Sequence, residues 1–258
     1  MPRLEHVSEA VPKPMRNIRA TARPLLFRTG NADTPISTWG TCFLVGRGGR
    51  YFAVTAEHLV KKAHSSSVVI LPCPKAEKPL SLSRGFTWAE DSSGAYDAIA
   101  YEVSVTNLRT VVAKESRIIR LDYLPTYEWE ANAFNAMFFL MGYPGDVNSV
   151  DYDKGQVLSS QVVLAGRYDG VSDIQGTIHR LIVENPLELS HFYGLSGSPV
   201  MCLTPRFCSE PTMAFCGIAI LGTPESGLVH FLESKTIVSL LDHAVEFWDG
   251  RLPGSQSS

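Results

Sequence analysis

The chain has 258 residues, 45% of them hydrophobic, which is enough to bury a substantial core and too much for a disordered protein. Its formal net charge of -3 argues against a surface built to bind nucleic acid. No apolar run reaches the roughly 20 residues of a membrane-spanning helix, and the first residues do not resemble a signal peptide. We therefore expect neither nucleic acid nor a membrane among its partners.

Short apolar runs rich in β-branched and aromatic residues follow residue 16 and alternate with Gly, Ser, Pro and Asp. This pattern is typical of short antiparallel strands joined by turns, as in a β-sandwich or a β-barrel. We expect strands at 40–45, 51–55, 67–71, 136–142, 156–166, 179–183, 199–203, 213–221 and 228–232.

The strand pattern weakens between about residues 106 and 134, and we place the boundary between two lobes there. The predicted lobes are residues 17–115 and 116–250, with flexible tails at 1–16 and 251–258. One helix is expected from Ser234 to Trp248, because its apolar residues recur at the i, i+3, i+4 spacing of one buried stripe. Ser234 fits the N-cap of this helix, and Gly250 fits its C-terminal stop.

The five cysteines are an odd number, and none forms the C-x-x-C pair typical of a zinc site. We interpret them as mostly reduced thiols, and we expect a cytoplasmic protein that needs no metal and no cofactor. Cys42 and Cys216 lie inside apolar runs, so we expect them to be buried.

The segment Gly194-Leu195-Ser196-Gly197 is the first that could carry chemistry. A serine hydroxyl needs a neighbouring base before it attacks a carbonyl carbon, and the oxyanion that forms needs hydrogen-bond donors. Glycines beside the serine let the backbone turn tightly, so that the N–H groups of Gly194 and Ser196 could be those donors. Taken alone, the segment is explained as well by a turn between two strands.

His58 and Asp97 are the other two candidate catalytic residues. His58 follows a β-rich run that ends at Thr55, so its ring can project into a cleft from the end of a strand. Asp97 directly precedes the apolar run 98–101, where a half-buried carboxylate can orient an imidazole. Taken alone, each is explained more simply, as a surface histidine and a turn aspartate.

Taken together and in this order, these segments resemble the trypsin-like (chymotrypsin-fold) serine peptidase family in its disulfide-poor, intracellular branch. The matching segments are Gly40-Thr41-x-Phe43, Thr55-Ala56-x-His58, Asp97-x-Ile99-Ala100, Gly194-x-Ser196-Gly197-Ser198-Pro199 and Gly217-Ile218. The resemblance implies an all-β fold of two six-stranded antiparallel β-barrels, with the active site between them and a C-terminal α-helix. It also implies a triad of His58, Asp97 and Ser196 that hydrolyses a peptide or protein substrate by acyl transfer.

Three residues depart from the family pattern. Leu195 stands where secreted members have the aspartate that pairs with a new N-terminus, so we expect no activation of that type. Leu59 stands where a disulfide partner of Cys42 would be. Ile220 replaces a serine that often supports the catalytic aspartate. This last change leaves open a catalytically weak or inactive domain that binds or senses peptides.

The resemblance places the specificity pocket beside the residues that precede the nucleophile. Ser190 falls where trypsin has an acidic residue, so we do not expect cleavage after Lys or Arg. Gly222 and Gly227 would leave the pocket walls open to a large apolar side chain, and Gly222 would pair with the substrate backbone. If His191 or His230 lines the pocket, an acidic or amide side chain would be preferred instead.

An α/β-hydrolase esterase is a further alternative. Its motif G-x-S-x-G fails at Ser198, and only a short stretch follows Ser196 for the acid and the base. The strand-rich pattern before Ser196 also opposes it. No appended effector domain is evident in the sequence, so we expect regulation to come from a protein partner or from mobile loops.

Overall fold

The computed structural model describes residues 20–61, 67–71, 79–88, 96–104, 118–122, 129–184, 188–204 and 212–250. The predicted tails and the predicted lobe boundary at residues 115 and 116 lie outside these ranges. The strands are β1 (Ala22–Arg28), β2 (Ile36–Arg47), β3 (Arg50–Thr55), β4 (Val68–Ile70), β5 (Leu80–Ser81), β6 (Gly85–Thr87), β7 (Ile99–Glu102), β8 (Ile119–Arg120), β9 (Met137–Gly142), β10 (Ser149–Asp151), β11 (Gln156–Leu158), β12 (Val162–Val171), β13 (Ile178–Val183), β14 (Pro199–Thr204), β15 (Thr212–Thr223) and β16 (Leu228–Glu233). The helix α1 spans Ser234–Trp248, and short 3-10 turns span Glu57–Leu59, Glu130–Asn135 and Gly145–Val147. No helix in the described ranges has the length and hydropathy of a membrane span.

The first lobe is an eight-stranded sheet in the order β5-β4-β1-β2-β3-β7-β6, with β8 parallel to β2. Residues 82–84 connect the two outer strands, β5 and β6, so the sheet curls back toward itself. These two strands, two and three residues long, do not pair with each other within the described residues. The first lobe therefore differs from the expected six-stranded barrel. Ile119 and Arg120 also lie on this sheet, although the predicted boundary gave them to the second lobe.

The second lobe is a closed, six-stranded antiparallel barrel in the order β12-β13-β16-β15-β14-β9. This part of the predicted fold is confirmed. Its interior is filled by buried apolar side chains, among them Phe138, Leu140, Val200 and Phe231. The single strand predicted at 156–166 is two strands, because β11 pairs with β10 in a separate hairpin and only β12 enters the barrel.

The largest buried cluster joins the two lobes and α1. Phe43 of β2 lies 5.5 Å from Phe215 of β15, measured between ring centroids, and both rings are fully buried. Leu240 and Leu241 of α1 belong to the same cluster. This cluster therefore holds the two lobes and α1 against one another.

The helix α1 begins and ends where the apolar spacing predicts. Ser234 is its first residue rather than its N-cap, which is Glu233. The Ser234 side chain is fully buried, and its Oγ accepts a hydrogen bond from the indole of Trp129 at 3.2 Å. Its hydroxyl therefore belongs to the barrel core and does not cap the helix. Gly250, with a φ of 72°, follows the helix as its predicted stop.

Candidate active site

His58 and Asp97 meet at the ends of two paired strands. His58 lies in the 3-10 turn directly after β3, and Asp97 lies two residues before β7, which pairs with β3. One oxygen of Asp97 accepts the backbone N–H of His58 at 2.8 Å, and the other lies 2.5 Å from Nδ1 of the ring. Because an ionised carboxylate only accepts hydrogen bonds, Nδ1 carries a proton, and in the neutral ring Nε2 then has the lone pair of a base.

Ser196 lies beside the turn that carries His58. The N–H of Thr41 in β2 donates to the carbonyl oxygen of Ser196 at 3.0 Å. A Cβ atom added to Gly40 would lie 2.5 Å from the Leu59 side chain and 3.4 Å from the Ser196 carbonyl oxygen. The His58 turn and the Ser196 segment therefore flank the same glycine, at the junction of the two lobes.

The Ser196 hydroxyl donates to the carbonyl oxygen of Ile220 at 3.2 Å. No hydrogen bond joins this hydroxyl to the His58 ring, although both residues are described. The Ile220 carbonyl is available because β15 bulges relative to β16 between Ala219 and Leu221. A rotation of Ser196 about χ1, between staggered positions, would be needed to redirect the hydroxyl.

Among the described residues, no acceptor pairs with the two N–H groups predicted to bind the oxyanion, those of Gly194 and Ser196. The carbonyl of Tyr193 accepts the N–H of Gly145 at 2.8 Å. Because the C=O and N–H of a trans peptide point in opposite directions, the N–H of Gly194 points away from Gly145. The N–H groups of Gly194 and Ser196 donate to no acceptor among the described residues, whereas the intervening N–H of Leu195 donates within the loop.

Glycine is required on both sides of the nucleophile. Gly194 and Gly197 have φ values of 89° and 85°, in the left-handed region. A Cβ on Gly197 would overlap the carbonyl oxygen of Thr41, and one on Gly194 would overlap that of Tyr143. These positions let the loop pack directly against the backbone of β2 and of the turn after β9.

Two buried threonines lie where the nucleophile loop meets the first lobe, and Thr41 bonds directly to the loop. Thr41 Oγ1 donates to the carbonyl oxygen of Gly194 at 2.7 Å and accepts the N–H of Tyr143 at 2.9 Å. Thr55 Oγ1 donates to the Thr41 carbonyl oxygen at 2.7 Å. In the sequence both threonines belong to segments that match the family pattern, but nothing local indicates their hydrogen bonds.

Ser190 and His191, the predicted pocket residues, both contact Asp146. Asp146 accepts the N–H of Ser190 at 2.6 Å, and one of its oxygens lies 2.8 Å from Nε2 of His191. Burial by itself would raise the pKa of Asp146, but hydrogen bonds from Ser190 and His191 outweigh it and lower the pKa below its ordinary value. Asp146 was not identified from the sequence, since nothing local marks it as more than a turn residue after Gly142-Tyr143-Pro144.

The space beside Gly222 is occupied by the ring of Phe192. A Cβ added to Gly222 would lie 3.1 Å from this ring, which is only 5% exposed. On the side where a Cβ would project, Gly222 therefore faces this ring. Gly227, with a φ of 66°, lies in the turn between β15 and β16. Contact of either glycine with a substrate stays a prediction.

His230 lies on β16, where Nδ1 of its ring is 3.0 Å from the hydroxyl of Ser172. Burial and the neighbouring charge of Arg180 lower the pKa of His230. Ser172 directly follows β12, and Arg180 lies on β13, which pairs with β16. No described contact links His230 to Ser196.

No family model and no curated protein sequence matches the chain. Solved structures match it with TM-scores of 0.56 for human heparin binding protein and 0.54 for a scabies mite inactivated protease paralogue, at 13% and 12% identity. The matches cover 93% of this chain in both cases, and 95% and 96% of those chains. A mutant of tobacco etch virus protease matches with a TM-score of 0.50 and 14% identity, over 90% of this chain and 81% of that one.

The chain has the chymotrypsin-like protease fold. At identities of 12 to 14% the likeness shows this fold and no more. One of the matched proteins is named as an inactivated protease paralogue, so the chymotrypsin-like fold alone does not decide whether this chain is a catalyst. That question turns on the side chains of the site.

Proposed function

We propose that the chain is a serine endopeptidase that acts on a peptide or protein substrate through His58, Asp97 and Ser196. The observation that carries the proposal is the two-point contact of Asp97, with the backbone N–H and the ring of His58 at 2.8 and 2.5 Å. This contact fixes the tautomer and the orientation that a general base needs. A cytoplasmic location is part of the same proposal, and the free, buried state of Cys42, Cys202 and Cys216 supports it.

The proposed reaction proceeds in two halves. Nε2 of His58 takes the proton of Ser196 as Oγ attacks the scissile carbonyl carbon, and then gives this proton to the leaving amine. A water molecule, deprotonated by His58, attacks the acyl-enzyme, and Ser196 Oγ recovers its proton when the acid leaves. The N–H groups of Gly194 and Ser196 stabilise both oxyanions, each contributing about 3 kcal/mol.

Ser196 must first exchange its partner. Its hydroxyl leaves the Ile220 carbonyl and turns toward His58 by rotation about χ1. The Ile220 carbonyl then becomes available to a backbone N–H of the substrate, which would add to β15 as a further strand.

The test is labelling by a fluorophosphonate probe, which phosphonylates an activated serine with loss of fluoride. We expect labelling of Ser196 in the wild-type protein and none in Ser196→Ala or His58→Ala, while Asp97→Asn lowers the rate by up to about 10⁴-fold. Ser198→Ala is the matched control, since this buried hydroxyl has no hydrogen-bond partner among the described residues. A folded wild-type protein that the probe does not label would refute the proposal.

The second candidate function is a peptide-binding or sensing module. Two observations favour it: the Ser196 hydroxyl is bonded to Ile220 rather than to His58, and Phe192 fills the space beside Gly222. A peptide library, analysed both for bound and for cleaved members, separates the two functions. Bound peptides that stay intact, from a protein that the fluorophosphonate does not label, would establish the module.

A further inference from the structure

Three hydrogen-bond donors and the ring of His191 converge on the side chain of Asp146. Ser190 contributes its N–H at 2.6 Å and its hydroxyl at 3.0 and 3.1 Å from the two carboxylate oxygens. His191 contributes its backbone N–H at 3.4 Å and its ring Nε2 at 2.8 Å. Both oxygens of Asp146 are therefore used to hold one short segment.

The turn that carries Asp146 contacts the nucleophile loop at further points. The N–H of Gly145 donates to the carbonyl of Tyr193, and the backbone of Gly194 packs against that of Tyr143 and Gly145. The segment 143–146 thus contacts residues 190, 191, 193 and 194 in succession. These contacts set the peptide plane whose N–H belongs to Gly194.

The charge of Asp146 belongs to this arrangement. Its side chain is 19% exposed, and the hydrogen bonds from Ser190 and His191 lower its pKa in spite of burial. Leu195, directly before the nucleophile, is apolar and buried in the barrel core, so it offers no charge for an electrostatic anchor. Asp146, from another segment of the chain, instead contacts the loop at Ser190 and His191 with its carboxylate.

We propose that Asp146 is a positioning residue that holds segment 190–194 in the conformation in which the N–H of Gly194 is directed at the oxyanion. The inference rests on the proposed function, because it concerns the oxyanion of that reaction. Asp146 acts through the loop and touches no reacting atom. The contacts of Asp146 with Ser190 and His191 form in the intact chain, so they do not depend on cleavage of a peptide bond.

Asp146→Asn tests the proposal at constant size. With its amide oxygen in the place of Oδ2, asparagine would keep the two backbone bonds, and its NH₂ group would meet the Ser190 hydroxyl and the His191 ring. The variant therefore removes the negative charge and one of the two acceptor oxygens. Asp151→Asn is the matched control, because Asp151 is 23% exposed and its side chain contacts Lys154 within its own turn. Both variants are compared with the wild-type protein after titration of active sites with the fluorophosphonate.

We expect Asp146→Asn to lower kcat about 10- to 100-fold with little change in KM, since a misdirected oxyanion donor affects the transition state alone. The affinity for a peptide boronate, which becomes tetrahedral at Ser196, should weaken by a similar factor. Amide exchange at residues 190–194 of the ligand-free protein should accelerate in Asp146→Asn and stay unchanged in Asp151→Asn.

The outcomes separate this inference from the proposed function. A wild-type protein that the fluorophosphonate does not label refutes the proposed function and the catalytic role of Asp146 with it. Normal labelling of the wild type, with kcat per active site and boronate affinity unchanged in Asp146→Asn, overturns the inference and leaves the proposed function intact. A lower melting temperature with unchanged kcat also overturns it, since Asp146 would then serve stability alone.

Discussion

Replacement of Thr41 by valine removes one hydroxyl from the centre of the site at nearly constant volume. Thr41 is fully buried, and its Oγ1 connects the carbonyl oxygen of Gly194 at 2.7 Å with the N–H of Tyr143 at 2.9 Å. In Thr41→Val both partners stay buried and lose this bond. Each buried polar group left unsatisfied costs about 1–3 kcal/mol, so we expect the free energy of unfolding to fall by about 2–6 kcal/mol. That is a large part of the roughly 5–15 kcal/mol of a typical domain.

Thr41→Ser is the matched control for this experiment. It keeps the hydroxyl and both hydrogen bonds and removes one buried methyl group, which costs about 1 kcal/mol. Urea unfolding of both variants, followed by tryptophan fluorescence, gives the two free energies. If the valine variant is as stable as the serine variant to within about 0.5 kcal/mol, Thr41 does not bridge the two segments and the reasoning is refuted.

Three further predictions concern other buried groups. Gly197→Ala should destabilise the protein by more than about 4 kcal/mol, because the added Cβ overlaps the Thr41 carbonyl at a left-handed φ; a melting temperature equal to that of the wild type would contradict this. Burial lowers the pKa of His179 from its ordinary 6.5, although Glu233 opposes this, so the unfolded chain takes up the proton first. Stability should therefore be full above about pH 6.5 and decline as the pH falls below it, more in the wild type than in His179→Gln, as urea unfolding at about pH 7.5 and 5.5 would show. Burial also raises the pKa of the Cys42 thiol to about 12, despite the charge of Arg23, so a thiol reagent at about pH 8 should modify Cys42 only after unfolding, as peptide mapping would detect.

The elements that the sequence predicted are those whose signal is local. The helix α1 shows its buried stripe in every turn, and β3, β14 and β16 are short runs of mostly apolar residues near turn residues. β1 was missed because Arg23 and Pro24 interrupt its apolar run, yet Arg23 is only 2% exposed and donates to the Ala22 carbonyl oxygen at 2.7 Å. The strands β5 and β8 have only two residues each, too few to show a periodic pattern, and β8 pairs with a strand distant in the chain.

The candidate site divides in the same way. His58, Asp97 and Ser196 each lie in a short, recognisable segment, and the structure places His58 and Asp97 in direct contact. The contacts of Asp146 cross 44 positions of sequence to Ser190, so only the packing of two loops creates them. The direction of the Ser196 hydroxyl depends on the bulge that exposes the Ile220 carbonyl, and a bulge is a property of the pairing between two strands.

The nucleophile loop is held by two kinds of interaction that act on opposite sides. Leu195 points into the barrel core, where it is 3% exposed, and burial of a leucine contributes about 1.5–3 kcal/mol without any partner. A carboxylate in that position would need a paired cation, because an unpaired buried charge is strongly destabilising. Asp146 keeps its carboxylate at the outer side of the loop, where three hydrogen-bond donors and the nearby His191 ring offset the cost of its partial burial. Burial of Leu195 can therefore hold the loop against the barrel core, while the hydrogen bonds to Asp146 set the orientation of the loop. Neither interaction requires a second, activated conformation of the chain.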